Sequence, residues 1–514
     1  MTKILTTTLV GLLITSLFVS SSGWAMADNG DKSPIKHVVV IFQENISYDH
    51  YFGTYPNALN PPGEPVFTPL PHTPDSNGLT PALLTHNPNL YNPFRLDRTH
   101  LILCGTSNEY HGEQIAYDGG LVDKFVQKQG GAEVDGGVSN CSSTANGNES
   151  MSYYDGNSVT GLWNYAQHFA MSDSNFATEF GSTLLGHINL ISGDTSGVTD
   201  GTVVGGQVIA NQESMFDDCA KTPAVPIFLT GKNLGDLLNE KGITWGWFAG
   251  GFKPTTKWDG IAGHKAVCNA TGKRTQSDNG TTKIYGSHYD PFMYYNSTAN
   301  THHLRPISNA TIGYTDQANH QYDLTDFWNA LSVGNMPAVS FLKAPKTQTG
   351  HAGDSSVLDE QLFIVNTINK LEQSPQWSST AVIITYDDSD GLYDHAMPKI
   401  VNHSNDPIND FAPTCGGNKI MGDVQDRCGH GPRLPLLVIS PYAKSNFISH
   451  EVTDQTSVLK FILNNWHLDF DDPISFVNQA NSLDNMFDFD NHGSTSIVLL
   501  DNKTGEVSSV IPTH

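Results

Sequence analysis

The chain has no Cys-x-x-Cys pair among its six cysteines, which removes the usual signature of a zinc knuckle or a thioredoxin-like redox site. It is short of positive charge. Lys and Arg number 27 against 52 Asp and Glu, a formal net charge of −25, and this balance argues against a nucleic-acid partner. A zwitterionic lipid headgroup carries no net charge to be repelled, so a phospholipid substrate stays compatible with the composition. Beyond the first 27 residues no run is long and apolar enough to cross a bilayer as a helix, and no transmembrane anchor is expected. Internal repeats and low-complexity linkers are also missing, so nothing divides the chain into obvious modules.

What is present begins with a targeting segment. Residues 1–27 carry one charge, Lys3, then an apolar stretch from Ile4 to Val19 and an Ala25-Met26-Ala27 cleavage pattern. A secretory signal is therefore expected over 1–27, a single catalytic domain over 28–514, and export to the extracellular space or periplasm. In that compartment the cysteines (Cys104, Cys141, Cys219, Cys268, Cys415, Cys428) predict up to three disulfides. Cys415 and Cys428 are the expected pair, closing a Gly-rich loop.

The most informative stretch is His37-Val-Val-Val-Ile-Phe-Gln-Glu44-Asn45. An uninterrupted β-branched run is what a parallel strand covered on both faces requires. Open α/β sheets bind ligands at the carboxyl ends of their strands, where Glu44 and Asn45 would stand. The pattern returns in Ala381-Val-Ile-Ile-Thr-Tyr followed by Asp387-Asp388. Together the two pairs point to a metal site with oxygen ligands. Further apolar strands are predicted at 243–248, 338–342 and 434–440, and helices at Thr160–Ala170, Leu358–Gln373 and Thr456–His467. The alternation predicts an α/β fold, with a mostly parallel central sheet flanked by helices on both faces. The 60–93 and 130–158 segments read as long loop excursions.

Between the two ligand-bearing strands lies Gly181-Ser182-Thr183-Leu-Leu-Gly186-His187-Ile-Asn-Leu-Ile-Ser-Gly193. A hydroxyl after glycine at the head of an apolar segment is either a helix cap or a group presented to an anion. Beside the acidic pairs it becomes a candidate nucleophile, because coordination to a divalent cation favours the threonine alkoxide. His288, His351 and His395 stand out from the 21 histidines by their flanking motifs and are candidates for proton transfer or oxyanion contact.

These segments closely resemble those of the bacterial phosphatidylcholine-type phospholipases C and their relatives, the secreted acid phosphatases. Glu44-Asn-Ile-Ser-Tyr-Asp-His50-Tyr-Phe-Gly53 resembles the family's E-N-R-S-F-D-H-Y-F-G, and Gly181–Gly193 its G-P-S-T-P-G-x-L-N-L-I-S-G. Tyr386–His395 resembles Y-D-D-S-D-G-W-Y-D-H, and Arg433–Pro441 matches R-L-P-L-L-V-I-S-P. The resemblance runs in order from about residue 35 to 470. It implies a core like that of alkaline phosphatase and the sulfatases. It implies a metal on Glu44, Asn45, Asp387 and Asp388, with Thr183 as both ligand and nucleophile, and a phosphoryl pocket lined by His351 and His288. It leans toward zinc, while calcium, magnesium and manganese suit an all-oxygen shell by ligand type.

Two departures stand out. Asn108 occupies the place of a family histidine, with His111 three residues on, and Leu184-Leu185 replace Thr-Pro. The activity implied is a secreted phospholipase C releasing diacylglycerol and a phosphorylated headgroup. A broad acid phosphatase acting on small phosphomonoesters is the alternative, and an exported non-catalytic calcium-binding protein the third reading. Transient contact with a membrane surface is expected, with exposed aromatics of 60–93 or 285–305 as candidates for it.

Overall fold

The structure is a computed structural model, and it describes residues 33–129, 149–199, 204–221, 225–490 and 496–512. The expected targeting segment, Cys141 and most of the 130–158 excursion lie outside them. Its centre is an eight-stranded sheet of β1 (His37–Gln43), β2 (Ala170–Ser172), β3 (Trp245–Ala249), β4 (Gln321–Asp323), β5 (Val339–Lys343), β6 (Thr380–Tyr386), β7 (Leu436–Ile439) and β8 (Phe447–Ser449), in the order β4-β3-β5-β1-β6-β7-β2-β8. Seven strands run one way. β7 alone is antiparallel to both of its neighbours. The mostly parallel sheet flanked by helices is thus observed, with the reversed strand as a refinement.

The two strands that anchor the site are the most apolar for a physical reason. β1 lies between β5 and β6, so both of its edges are paired and both faces covered, and Val38 to Phe42 are fully buried. β6 is buried along its whole length. Their parallel register pairs Gln43 with Tyr386, so the next residues of each strand, Glu44-Asn45 and Asp387-Asp388, leave the sheet side by side. β5 ends one strand further across at Lys343, opposite Ala249 of β3.

Around the sheet pack α1 (Thr160–His168), α2 (Thr183–Ile191), α3 (Leu234–Lys241), α4 (Leu324–Ser332), α5 (Val357–Glu372) and α6 (Gln455–Asn465). α1 stops two residues short of the predicted end, because Ala170 starts β2. α2 is buried at all nine positions, the polar Thr183, His187 and Asn189 included. Disulfides join Cys219 to Cys268 and, as expected, Cys415 to Cys428. Among the described residues no helix is long and apolar enough to cross a membrane. The aromatics of 285–305 do not face solvent: Tyr285, Tyr289, Phe292, Tyr294 and Tyr295 belong to the core. In the 60–93 segment Phe67 is also core, and Tyr91 is exposed.

Candidate active site

Asn45 turns the chain sharply after β1, at φ 54°, a left-handed conformation that asparagine tolerates better than most residues. The turn sends its backbone N–H to Asp387 Oδ1 at 2.9 Å and its side-chain amide to Asp390 Oδ1 at 3.1 Å. The second ligand pair is locked from its own side. Asp388 N–H donates to Asp387 Oδ1 at 2.8 Å, and Asp390 N–H to Asp388 Oδ1 at 2.7 Å. Gln455, at the head of α6, donates to the Asp387 carbonyl at 2.9 Å.

Thr183 is the first residue of α2, after the N-cap Ser182. Its hydroxyl stands 3.3 Å from Asp388 Oδ2 and 3.5 Å from Glu44 Oε2, between the two strand ends. A single hydroxyl proton serves one acceptor at a time, and both distances are long for O–H···O bonds. The structure brings Glu44, Asn45, Thr183, Asp387 and Asp388 together in one buried group.

This group is crowded with negative charge. Burial, then Glu44 and Asp388, push the Asp387 carboxyl well above the usual carboxylate range. Burial and Asp390 push Asp388 up to about 7. Burial raises Asp390 to about 6 against the opposing pull of His351. Such shifts mark a site that wants a cation. Two oxygens, Asn45 Oδ1 and Asp387 Oδ2, are buried and accept no hydrogen bond. Three carboxylates, an amide oxygen and a hydroxyl with orphaned acceptors fit a divalent metal ion.

Several site residues carried no signal of their own. Lys343, the last residue of β5, forms a buried ion pair with Glu44 Oε1 and sits 4.6 Å from the centre of the Tyr289 ring. His187, one turn along α2 from Thr183, hydrogen-bonds through Nδ1 to the Thr183 carbonyl at 2.8 Å, and its Nε2 is buried without a partner. A nitrogen of His187 lies within reach of Glu44 and Asp387, which makes it a candidate nitrogen ligand beside the oxygens. Asn108 donates to Asp388 Oδ1 at 3.0 Å and so occupies the edge of the site. His111 instead bonds the Asn409 carbonyl at 3.1 Å and does not take Asn108's place.

The three predicted histidines separate. His351 is half-buried, and although burial opposes it, Asp390, Asp354 and Glu44 raise its pKa. His288 is pushed well below its ordinary value by burial, then by Lys346 and Lys221. The two histidines also act on each other. His395 belongs to another group, bonded to Asp49 Oδ2 at 2.6 Å beside an Arg433 that pairs with both Asp49 and Asp394. None of its hydrogen-bond partners is a member of the Thr183 group.

A model of the Phosphoesterase family matches residues 35–469. The chain is 24% identical over 446 residues to the non-hemolytic phospholipase C of Burkholderia pseudomallei (strain K96243), an alignment covering 83% of this chain and 54% of that one. It is 24% identical over 446 residues to phospholipase C A of Mycobacterium tuberculosis (strain H37Rv), covering 84% and 73%. The chain thus spans little more than half the length of the non-hemolytic phospholipases C it matches. Among solved structures it is similar to a protein in the alkaline phosphatase superfamily from Vibrio parahaemolyticus, at 10% identity and a TM-score of 0.30, covering 82% of this chain and 88% of that one.

Proposed function

The chain belongs to the Phosphoesterase family, and on that premise we propose that it is a secreted, metal-dependent phosphoric ester hydrolase that acts on phosphatidylcholine-type lipids as a phospholipase C. The observation that carries the reading is the Thr183 hydroxyl held between Glu44 and Asp388, at the carboxyl ends of β1 and β6. An exported calcium-binding protein could use the same hydroxyl as a ligand, and turnover of a phosphoester separates the two readings.

Glu44, Asn45, Asp387 and Asp388, with the Thr183 oxygen, would hold a divalent cation, and the unpartnered His187 nitrogen favours zinc among the candidates. When bound, such an ion supplies charge neutralisation of the phosphoryl oxygens and favours the threonine alkoxide. The residues divide the remaining work. The Thr183 hydroxyl gives up its proton to solvent, and Oγ1 forms a bond to phosphorus as the bond from phosphorus to the diacylglycerol oxygen breaks. His351, whose pKa Asp390, Asp354 and Glu44 raise against the opposing effect of burial, gives the departing oxygen its proton. His288, kept neutral by burial and the nearby lysines, hydrogen-bonds a phosphoryl oxygen. Asn108 has no proton to give, so proton donation falls to His351 alone of these groups. Water then attacks phosphorus, giving a proton to His351, the bond from phosphorus to Thr183 Oγ1 breaks to release the phosphorylated headgroup, and Oγ1 regains its proton from solvent.

The test is phosphorus NMR of phosphatidylcholine mixed micelles incubated with zinc-replete protein. Phosphocholine as product supports the phospholipase C. Inorganic phosphate from a small monoester, with the lipid untouched, establishes the acid phosphatase instead.

A further inference from the structure

On leaving β3 the chain projects an arm whose base is fastened and whose tip is bare. Thr256 and Val267 form an isolated antiparallel bridge across the base. Immediately beyond it, Cys268 is bonded to Cys219. Ala266 N–H donates to Asp218 Oδ2 at 2.9 Å, and the same carboxylate oxygen holds His302 Nδ1 at 2.8 Å. Trp258 lies flat on His302, with ring centres 3.9 Å apart, and its indole N–H donates to the Ile261 carbonyl at 3.1 Å. These contacts fix the arm's direction without covering its end.

At the end stands Gly260-Ile261-Ala262-Gly263, all four exposed, with Ile261 54% accessible. Lys257 and Lys265, both exposed, flank this apolar tip, and exposed Lys253 sits at the root. The arm's acidic residue, Asp259, is bonded to His264 at 2.8 Å. On a chain with a net charge of −25 the arm carries two lysines against one aspartate, around an apolar point. The strand from which the arm departs ends beside the candidate active site. Ala249, which precedes the arm, pairs with Lys343, and Gly250 N–H donates to the Lys343 carbonyl at 3.0 Å.

We propose that the 256–267 arm docks the protein on an anionic lipid bilayer, with the Ile261 tip entering the interface and Lys257 and Lys265 against the lipid phosphates. Leaving an isoleucine in water is unfavourable, and lysines near an anionic leaflet are attracted to it. One short tip and a few lysines give reversible contact, suited to an enzyme that leaves after each encounter. The proposal deepens the phospholipase reading and rests on it for its purpose.

The experiment is co-sedimentation of the full chain with vesicles of phosphatidylcholine and phosphatidylglycerol at 7:3, and of phosphatidylcholine alone, with p-nitrophenylphosphorylcholine turnover measured on the same samples. Wild-type protein should sediment with the mixed vesicles and less so in high salt. The Lys257→Gln/Lys265→Gln double variant should bind them about twenty- to thirtyfold more weakly. Ile261→Asp should also weaken binding, and both variants should hydrolyse the soluble ester at the wild-type rate. Unchanged vesicle binding by both variants, or no binding by wild type, overturns the proposal. No turnover of the soluble ester by wild type overturns the hydrolase reading instead, and the vesicle comparison still decides the role of the arm.

Discussion

Gly186 of α2 passes so close to Asp387 that a Cβ at this position would lie 2.2 Å from the Asp387 carbonyl oxygen. The contact seats the helix that carries Thr183 directly on the end of the strand that carries the acidic pair. Gly186→Ala must therefore push α2 away from β6. It should cost about 3 kcal/mol of stability by overpacking and lower kcat/KM by more than tenfold, because Thr183 moves with the helix. Denaturant unfolding and steady-state kinetics on one preparation check both effects.

Lys343 and Glu44 form an ion pair in which both side chains are almost wholly buried. Removing one partner leaves an uncompensated charge, so Lys343→Met should cost the metal-free protein about 3 kcal/mol. With metal bound, the cation still faces Glu44, and the loss should be smaller. Thermal melts of the variant with and without added zinc measure the difference.

Chelation should destabilise the wild-type protein, since Asp387 and Asp388 then repel each other and Glu44, with Lys343 as the compensating cation. At a hundredfold excess of metal over its Kd the stabilisation is about 3 kcal/mol, seen as a melting temperature several degrees higher. Adding back zinc, calcium, magnesium or manganese separately identifies the ion that restores it most completely.

Glu372, at the end of α5, is buried with its Oε1 accepting from Val498 N–H at 3.1 Å and its Oε2 unpartnered. Burial pushes its pKa up to about 8. The folded chain holds this proton more tightly than the unfolded chain, so its contribution to stability is full below pH 4.5 and falls as pH rises toward 8. Glu372→Gln removes that decline. The variant should be the more stable protein at pH 8 by on the order of 3 kcal/mol, with the advantage vanishing near pH 4. Urea unfolding across that range tests the sign.

Much of this was legible in the sequence where local pattern and tertiary role coincide. The His37–Gln43 and Thr380–Tyr386 strands read directly because burial on both faces leaves an uninterrupted apolar run, and their carboxyl ends place Glu44, Asn45, Asp387 and Asp388. The Phe447–Ser449 and Gln321–Asp323 strands were not legible, being three residues each, too short for a period to show. Lys343 was hidden because a lysine after an apolar strand ordinarily reads as the strand's exit to solvent. Only the register with β1 sets it against Glu44. His395 is a different case. Its motif follows the acidic pair closely, yet Arg433 and Asp49 draw it into a separate ion network.

The central claim is that Thr183 is the nucleophile, and it is tested most directly by kcat/KM of Thr183→Ala, with metal content and melting temperature determined on the same sample. A full metal complement, a melting temperature within a few degrees of wild type and a rate reduced at least about a thousandfold are the predicted result. A rate within tenfold of wild type, in protein that is folded and metal-loaded, would contradict the account.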